Sequence, residues 1–372
     1  TLSSSSAASD VYKRQLYGIA IQKRFITAAS LIEDSPLDLP TGRGIYRPEN
    51  YDREFRGAVT VRTALASSMN IPAVKTLGLV GNEAFVQELR NFGFTGLREP
   101  EHYGPSLALG SADISLWELV NAYRTLANGG MWSGLRLSPQ EKKSVSRRAL
   151  SRETAFILSD ILSDREARSE TFSLENPLST RFWTAVKTGT SKDMRDNWCV
   201  GYSDQYTVGV WMGNFSGASM WNVSGVSGAA PVWLEVMNRL HRIVPSRPPK
   251  VPAGVVQQTV AIVDGRSIKQ KQEWFLGNTE QELVGAISAA KQPKIIYPAL
   301  DTVIAVDPDI PADVQRVFFE TSLEDGAFRL VLDAKELGPG LRVAWRPEAG
   351  FHQLELVDGK NAVIDLITFE VR

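Results

Sequence analysis

Cysteine is almost absent: Cys199 is the only one in 372 residues, which excludes an intramolecular disulfide framework. It lies in Asn197-Trp198-Cys199-Val200-Gly201, an apolar strand-like run where a thiol is expected to pack as a small hydrophobe. Histidine is scarce as well. His102, His241 and His352 are far apart and no pair has metal-ligand spacing, so neither a metal centre nor a catalytic histidine is expected. The formal net charge of −1 gives no steering toward nucleic acid or an anionic membrane. No apolar run approaches the ~18 residues of a membrane span. No basic, apolar and small-residue succession marks a secretory signal, so the targeting segment of an exported protein would lie upstream of residue 1. No internal repeat is visible.

What is present is ordinary for a soluble globular chain: 43% hydrophobic and 22% charged residues, with length for two or more domains. Residues 1–15, TLSSSSAASDVYKRQ, stand apart, since their Ser/Ala-rich run offers nothing to bury. They read as a foreign or disordered leader, of the kind found on fragmentary reading frames. From 16 to about 245 the pattern is first helical. A Thr-capped helix is expected near 60–68, and another begins at Asn70-Ile71-Pro72, with Asn as cap and Pro in the first turn. The 82–91 stretch carries Phe85, Leu89 and Phe92 on one face. Ser115-Leu116-Trp117-Glu118 is a capping box, and 152–162 has an apolar stripe.

The period then changes to two. Strands are expected over 183–187, 197–202 and 206–212, the last two forming a tight hairpin, followed by a Gly/Ser-rich loop and a helix from Pro231. Helices, then antiparallel strands, then a closing helix define an α+β domain. Pro245-Ser246-Arg247-Pro248-Pro249 marks its boundary. Residues 246–290 read as a connector with some strand character near 255–263. Residues 291–372, with short strands between Gly-, Pro- or Asp-bearing turns, read as a small β-sandwich-like domain.

Two motifs carry chemistry. Lys187-Thr188-Gly189-Thr190 ends a strand: a cation, two hydroxyls and a glycine that lets a ligand approach the backbone could grip a carboxylate and offer an N–H to an oxyanion. Alone, the tetrapeptide is weak evidence, and a solvated strand end with a glycine bulge is the better reading of it. Ser68-Met69-Asn70, at a break between helices, sets a hydroxyl and a carboxamide toward one cleft, one to pass protons and one to bind an amide; Ser and Asn at helix caps also occur without chemistry.

Together the motifs resemble the second and third signatures of the serine penicillin-recognising enzymes, whose first is Ser-x-x-Lys. ALASSMNIPAV (64–74), LALGSADISLWELVNAYRTLANGG (107–130), KTGTSKDMRDNWCVGYSDQYTVGVWMGN (187–214) and GVSGAAPVW (225–233) resemble, in order, segments of class A penicillin-binding proteins. Glu273-Trp274-Phe275-Leu276 and the strand-rich end resemble the 1C subtype. The resemblance covers everything after residue 15. It implies a serine β-lactamase/penicillin-binding transpeptidase-like domain followed by a small all-β domain, and a D,D-transpeptidase that crosslinks peptidoglycan through a serine acyl-enzyme. In that family a glycosyltransferase domain and an inner-membrane anchor lie upstream, the catalytic domains are periplasmic, and cell-wall, divisome or elongasome proteins are expected partners. Stem peptides and β-lactams are the implied ligands; no cofactor, metal or nucleic acid is implied.

Residue by residue, the resemblance gives Ser68 the relay of a proton to the leaving amine and Asn70 the stem-peptide backbone. It gives Lys187, Thr188 and Thr190 the donor carboxylate and the Thr190 N–H half of the oxyanion hole; Gly189, whose missing Cβ lets a ligand approach, completes the substrate-binding set. The first signature is not where it should be. Ser9 and Lys13 precede Leu16-Tyr17-Gly18-Ile19-Ala20 but are four apart, one more than the motif. The literal match Ser288-Ala289-Ala290-Lys291 lies in the connector, after the KTG strand, and reads as chance. The chain is therefore expected to be inactive, because losing one member of a nucleophilic unit removes nearly all its rate. A natural non-catalytic receptor for peptidoglycan or β-lactams is the alternative. A soluble β-lactamase or carboxypeptidase fits poorly, since neither is expected to carry the 1C-like end. Trp345 and Phe351 are candidates for a glycan-binding surface or for core.

Overall fold

In the computed structural model the described residues are 6–7, 11–41, 44–142, 144–264, 267–285, 294–299, 302–306, 310–311, 313–322, 328–339, 342–359 and 362–372. The chain divides into two compact units, Thr1–Gly285 and Ala286–Arg372.

The first unit is built on a three-stranded antiparallel sheet, β3 (Ala185–Thr190), β4 (Asp196–Tyr202) and β5 (Thr207–Gly213), in the order β5-β4-β3. Alternation along the strands feeds two cores. Ala185, Trp198, Val200 and Tyr202 join the large core with α1 (Lys13–Gln22), α2 (Val61–Ala66), α3 (Asn70–Val80), α4 (Asn82–Asn91), α5 (Leu116–Ala127) and α6 (Arg152–Ser163). Val186 and Cys199 join Trp233 and Met237 of α8 (Ala230–Leu240) in a second core. A short α7 (Arg165–Phe172) follows α6. Two caps are those the sequence implies: Thr60 accepts from the Thr63 N–H, and Ser115 and Glu118 form the capping box of α5. Asn70, expected as the cap of α3, is instead its first helical residue after Met69, and its carboxamide is taken up by Lys13 and Glu49 O rather than by the helix's own N–H groups.

Helix α1 is buried on all sides from Lys13 to Ile21. It approaches α6 so closely that a Cβ on Gly18 would lie 2.9 Å from Leu158 Cδ1. Residues 11–15, read above as part of a leader outside the fold, are thus inside it: Val11 and Tyr12 are core, and Lys13, Arg14 and Gln15 are buried. The low-complexity run ahead of them misdirected the reading, because three polar residues at a helix start look solvated until a surrounding core is seen.

The stretch read as a connector also has structure of its own. Strands β6 (Val255–Asp264) and β7 (Ser267–Leu276) form a long antiparallel pair, and β8 (Leu283–Val284) adds to β6 in parallel. Val255, Trp274 and Leu276 pack on the large core, with Trp274 edge-on to Phe156 of α6 at 5.3 Å. Strands β1 (Leu31–Asp34) and β2 (Gly57–Thr60) pair antiparallel beside the entry to α2.

The second unit is all-β among its described residues. β9 (Ile295–Tyr297), β11 (Val317–Thr321) and β14 (Arg342–Trp345) form one sheet, in the order β9-β11-β14. β10 (Thr302–Ile304), β12 (Arg329–Leu332), β13 (Lys335–Pro339), β15 (Gly350–Val357) and β16 (Val363–Val371) form another, in the order β10-β16-β15-β12-β13. Ile295 and Phe319 of the first sheet share a core with Leu330, Leu354, Leu356, Ile367 and Phe369 of the second. Trp345 stacks on Phe319 and joins that core, whereas Phe351 is exposed.

Candidate active site

Helix α2 stops at Ser67, whose N–H reaches back to Thr63 O at 2.8 Å, and α3 begins at Asn70 with Pro72 in its first turn. Between them Ser68 has φ +62°, a left-handed conformation uncommon for a residue with a side chain and frequent at functional sites. This break brings Ser68 and Asn70 to one cleft of about 830 Å³, which Thr188, Gly189 and Thr190 of β3 also line. β3 is the edge of its three-stranded sheet. Gly225, at the head of a single π-turn (Gly225–Ala229) before α8, backs the KTG strand. A Cβ there would fall 2.6 Å from Gly189 O and 2.7 Å from Trp198 O, so only glycine lets the turn lie this close. The Gly225 N–H donates to Thr190 Oγ1 at 3.0 Å.

Lys187 is buried beneath the cleft rather than in its wall. Its ammonium donates to Ser68 Oγ at 2.6 Å and to Thr188 O at 2.6 Å. Lys13, at the head of α1, arrives from the other side. Its ammonium donates to Asn70 Oδ1 at 2.6 Å, Ser68 O at 3.0 Å and Met69 O at 3.3 Å. Two lysines far apart in sequence therefore converge on the Ser68–Asn70 turn, one on the hydroxyl and one on the carboxamide. Asn70 Nδ2 donates to Glu49 O at 2.7 Å, while its N–H reaches Asn50 Oδ1 at 2.9 Å. Asn50 in turn donates to the buried Asp34 carboxylate at 2.8 and 2.9 Å. The carboxamide of Asn70 is thus fixed at both ends before any ligand arrives.

The structure brings together Ser68, Asn70, Lys187, Thr188, Gly189 and Thr190, all named from sequence. Asn50 and Asp34 were not named, and Lys13 was considered only as an off-register partner of Ser9 and not as a site residue. Lys13 stands three residues before Leu16-Tyr17-Gly18, and that nearness to the family-like segment was a better signal than its distance to Ser9. Three residues before Lys13 the sequence has Asp10; Ser9, Asp10 and the Ser288–Lys291 match lie outside the described residues. Cys199 is buried on the α8 side and burial pushes its thiol well above the usual range, so it offers no nucleophile. His241 bonds Val244 O and Ser203 Oγ, His352 pairs with Asp333, and His102 lies beside Arg98, none of them lining the cleft. Among the described residues no cluster of His, Cys, Asp or Glu could hold a metal, and no helix is long and apolar enough to cross a membrane.

A lysine-buttressed Ser-x-Asn turn facing a KTG edge strand, on an α+β scaffold, is the arrangement of a penicillin-recognising transpeptidase. The family model of the penicillin binding protein transpeptidase domain matches residues 5–236, and that of the penicillin-binding protein C-terminus family matches 285–369. The chain belongs to the class A penicillin-binding proteins and is 1C-like. It is 32% identical over 285 residues to penicillin-binding protein 1C of Escherichia coli K12, a match covering 73% of this chain and 35% of that protein. The chain spans about a third of the length of the curated relatives it matches. The crystal structure of penicillin-binding protein 1A from Haemophilus influenzae has the same fold over 74% of this chain and 49% of that one, at a TM-score of 0.65 and 20% identity. Penicillin-binding protein A of M. tuberculosis, as its imipenem acyl-enzyme complex, aligns over 64% of this chain and 61% of that one, with a TM-score of 0.53 and 19% identity.

Proposed function

We propose that this chain carries the stem-peptide recognition half of a D,D-transpeptidase, part of a bifunctional peptidoglycan synthase, and that its nucleophile is missing. The observation that carries the reading is the convergence of Lys13 and Lys187 on the Ser68–Asn70 turn. In a Ser-x-x-Lys pair the serine stands three residues before the lysine, so that the amine reaches its oxygen. Lys13 fills the lysine's role, and the position three before it is Asp10 in the sequence, where the motif needs serine.

With serine there, the Lys13 amine would take its proton as the oxygen attacks the D-Ala carbonyl, and the Thr190 N–H would hold half of the oxyanion. Ser68, held by Lys187, would pass a proton to the departing amine, and Asn70 would bind the peptide backbone. Thr188 and Thr190 would bind the donor carboxylate directly. Lys187 would act on it as a charge from beneath, since it is buried and already bonded to Ser68. The imipenem acyl-enzyme of the M. tuberculosis relative supports β-lactams as ligands of this site. By kinship with the 1C and 1A proteins, the parent would add a glycosyltransferase and a membrane anchor and would work on the periplasmic face.

A fluorescent penicillin tests the reading. The chain as given is expected to stay unlabelled, and Asp10→Ser to label at one equivalent. Labelling of the unaltered chain would overturn the missing nucleophile. A folded Asp10→Ser chain that stays dark would overturn Lys13 as its base; saturable non-covalent penicillin binding by that chain would leave the receptor reading in its place.

A further inference from the structure

A second cavity, of about 400 Å³, opens in the first unit and shares no lining residue with the cleft. Its floor is aromatic and apolar: Phe156 of α6, Tyr202 at the end of β4 and Trp183 just ahead of β3, with Trp183 and Tyr202 edge-on at 6.1 Å. One polar pair sits within that floor, Ser159 Oγ and the Tyr202 hydroxyl, 2.8 Å apart. The rim has the opposite character. Arg148, Arg152, Arg247 and Lys250 line it against a single carboxylate, Asp204.

The rim is held in shape from the protein side. Arg148 is pinned by Gly129 O at 3.1 Å and Leu150 O at 3.2 Å. The proline-rich segment bearing Arg247 and Lys250 is tied down where the Asp204 N–H donates to Ser246 Oγ at 3.1 Å and the Arg247 N–H to Asp204 Oδ2 at 3.3 Å. Asp204 is thus engaged with backbone. Among the described residues none of these four cations forms an ion pair with a carboxylate. An aromatic floor under unpaired cations selects a ligand with a flat apolar body and a negative charge at one end. The volume lies at the low end of the roughly 300–1,000 Å³ of small-molecule sites, enough for one or two fused rings.

From this juxtaposition the geometry points to a binding site for a small aromatic anion, a carboxylate or phosphate ester, separate from the transpeptidase cleft. The rings lie over Trp183, Phe156 and Tyr202, and the charge meets Arg247, Lys250 and Arg148. The site needs no nucleophile, so it stands or falls independently of the acylation reading.

Calorimetric titration of the full chain with 1-naphthoate tests it, with 1-naphthalenemethanol and acetate as controls. Naphthoate is expected to bind at least tenfold more tightly than either control, and more weakly as salt is raised. The Arg247→Ser/Lys250→Ser variant alters two exposed side chains and should keep the parent's circular dichroism while losing tenfold or more in naphthoate affinity. No naphthoate binding, equal binding by the double variant, or acetate binding as tightly as naphthoate would each overturn the site; the last would reduce it to a charged surface.

Discussion

Helices α1 and α2 each bury an arginine in the same core, in opposite surroundings. Arg62, on α2, is met by carboxylates from two other elements. Its Nε donates to Glu273 Oε2 of β7 at 2.6 Å, its Nη2 reaches Asp160 of α6 at 2.6 Å, and its Nη1 reaches Asp164 at 3.0 Å. Burial by itself would lower the guanidinium's pKa, but hydrogen bonding and attraction from Glu273 and then Asp160 hold it above its ordinary value. Arg14, on α1, has no carboxylate partner among the described residues. It lies over the Tyr123 ring at 3.0 Å and donates to Val11 O, its Nε has no partner, and burial brings its pKa down to about 10. Arg168 stands between the two: it is buried against Leu162 O and Leu178 O, and its pKa is lowered to about 10 by burial. Depth does not decide what a buried charge is worth; the groups that meet it do.

Substitution should separate the two with opposite signs. The largest effect belongs to Arg62→Met, which strands three carboxylates around a hydrophobic side chain. A loss of about 4 kcal/mol in urea unfolding is expected, and a loss below about 1 kcal/mol would break the comparison. Arg14→Met should do the reverse, since the thioether suits the site and a costly buried charge disappears. A gain of about 2 kcal/mol is expected in the same assay, and a destabilised variant would show that the Tyr123 contact outweighs the burial cost.

The smallest effect is in the second unit, where His352 pairs with Asp333 at 2.7 Å near the surface. Burial pulls the His352 pKa down, but the Asp333 carboxylate and Glu348 O outweigh it and raise the pKa. The pair's stabilisation is then fully present below the unfolded histidine pKa of about 6.5 and is lost as pH rises through the folded value. His352→Gln should flatten this unit's stability between about pH 6 and 8 by a few tenths of a kcal/mol. An unchanged pH profile in that variant would remove the pair from the comparison.

The sequence made Ser68, Asn70 and the Lys187–Thr190 strand legible because each motif is short and local. Lys13 was not, since its partners lie 55 to 57 residues away and its spacing to Ser9 pointed elsewhere. Arg62 and Glu273 are 211 residues apart, and nothing near either one signals the other. Arg14 and Gln15 were placed in a leader outside the fold because hydropathy sees the residue and not the core packed around α1. The β6–β7 pair was partly hidden for a related reason: Lys269, Gln270 and Lys271 of its second strand look like linker when read alone.

That hairpin bears on where the gene could be cut. The prolines at 245–249 invite an end point for a stand-alone transpeptidase domain. A chain ending there would leave Arg62 without Glu273, and the large core would lose Val255, Trp274 and Leu276. α2 is the helix that delivers Ser68, so the damage would begin within two turns of the cleft. The shortest self-supporting version should run through Gly285, where the first unit closes.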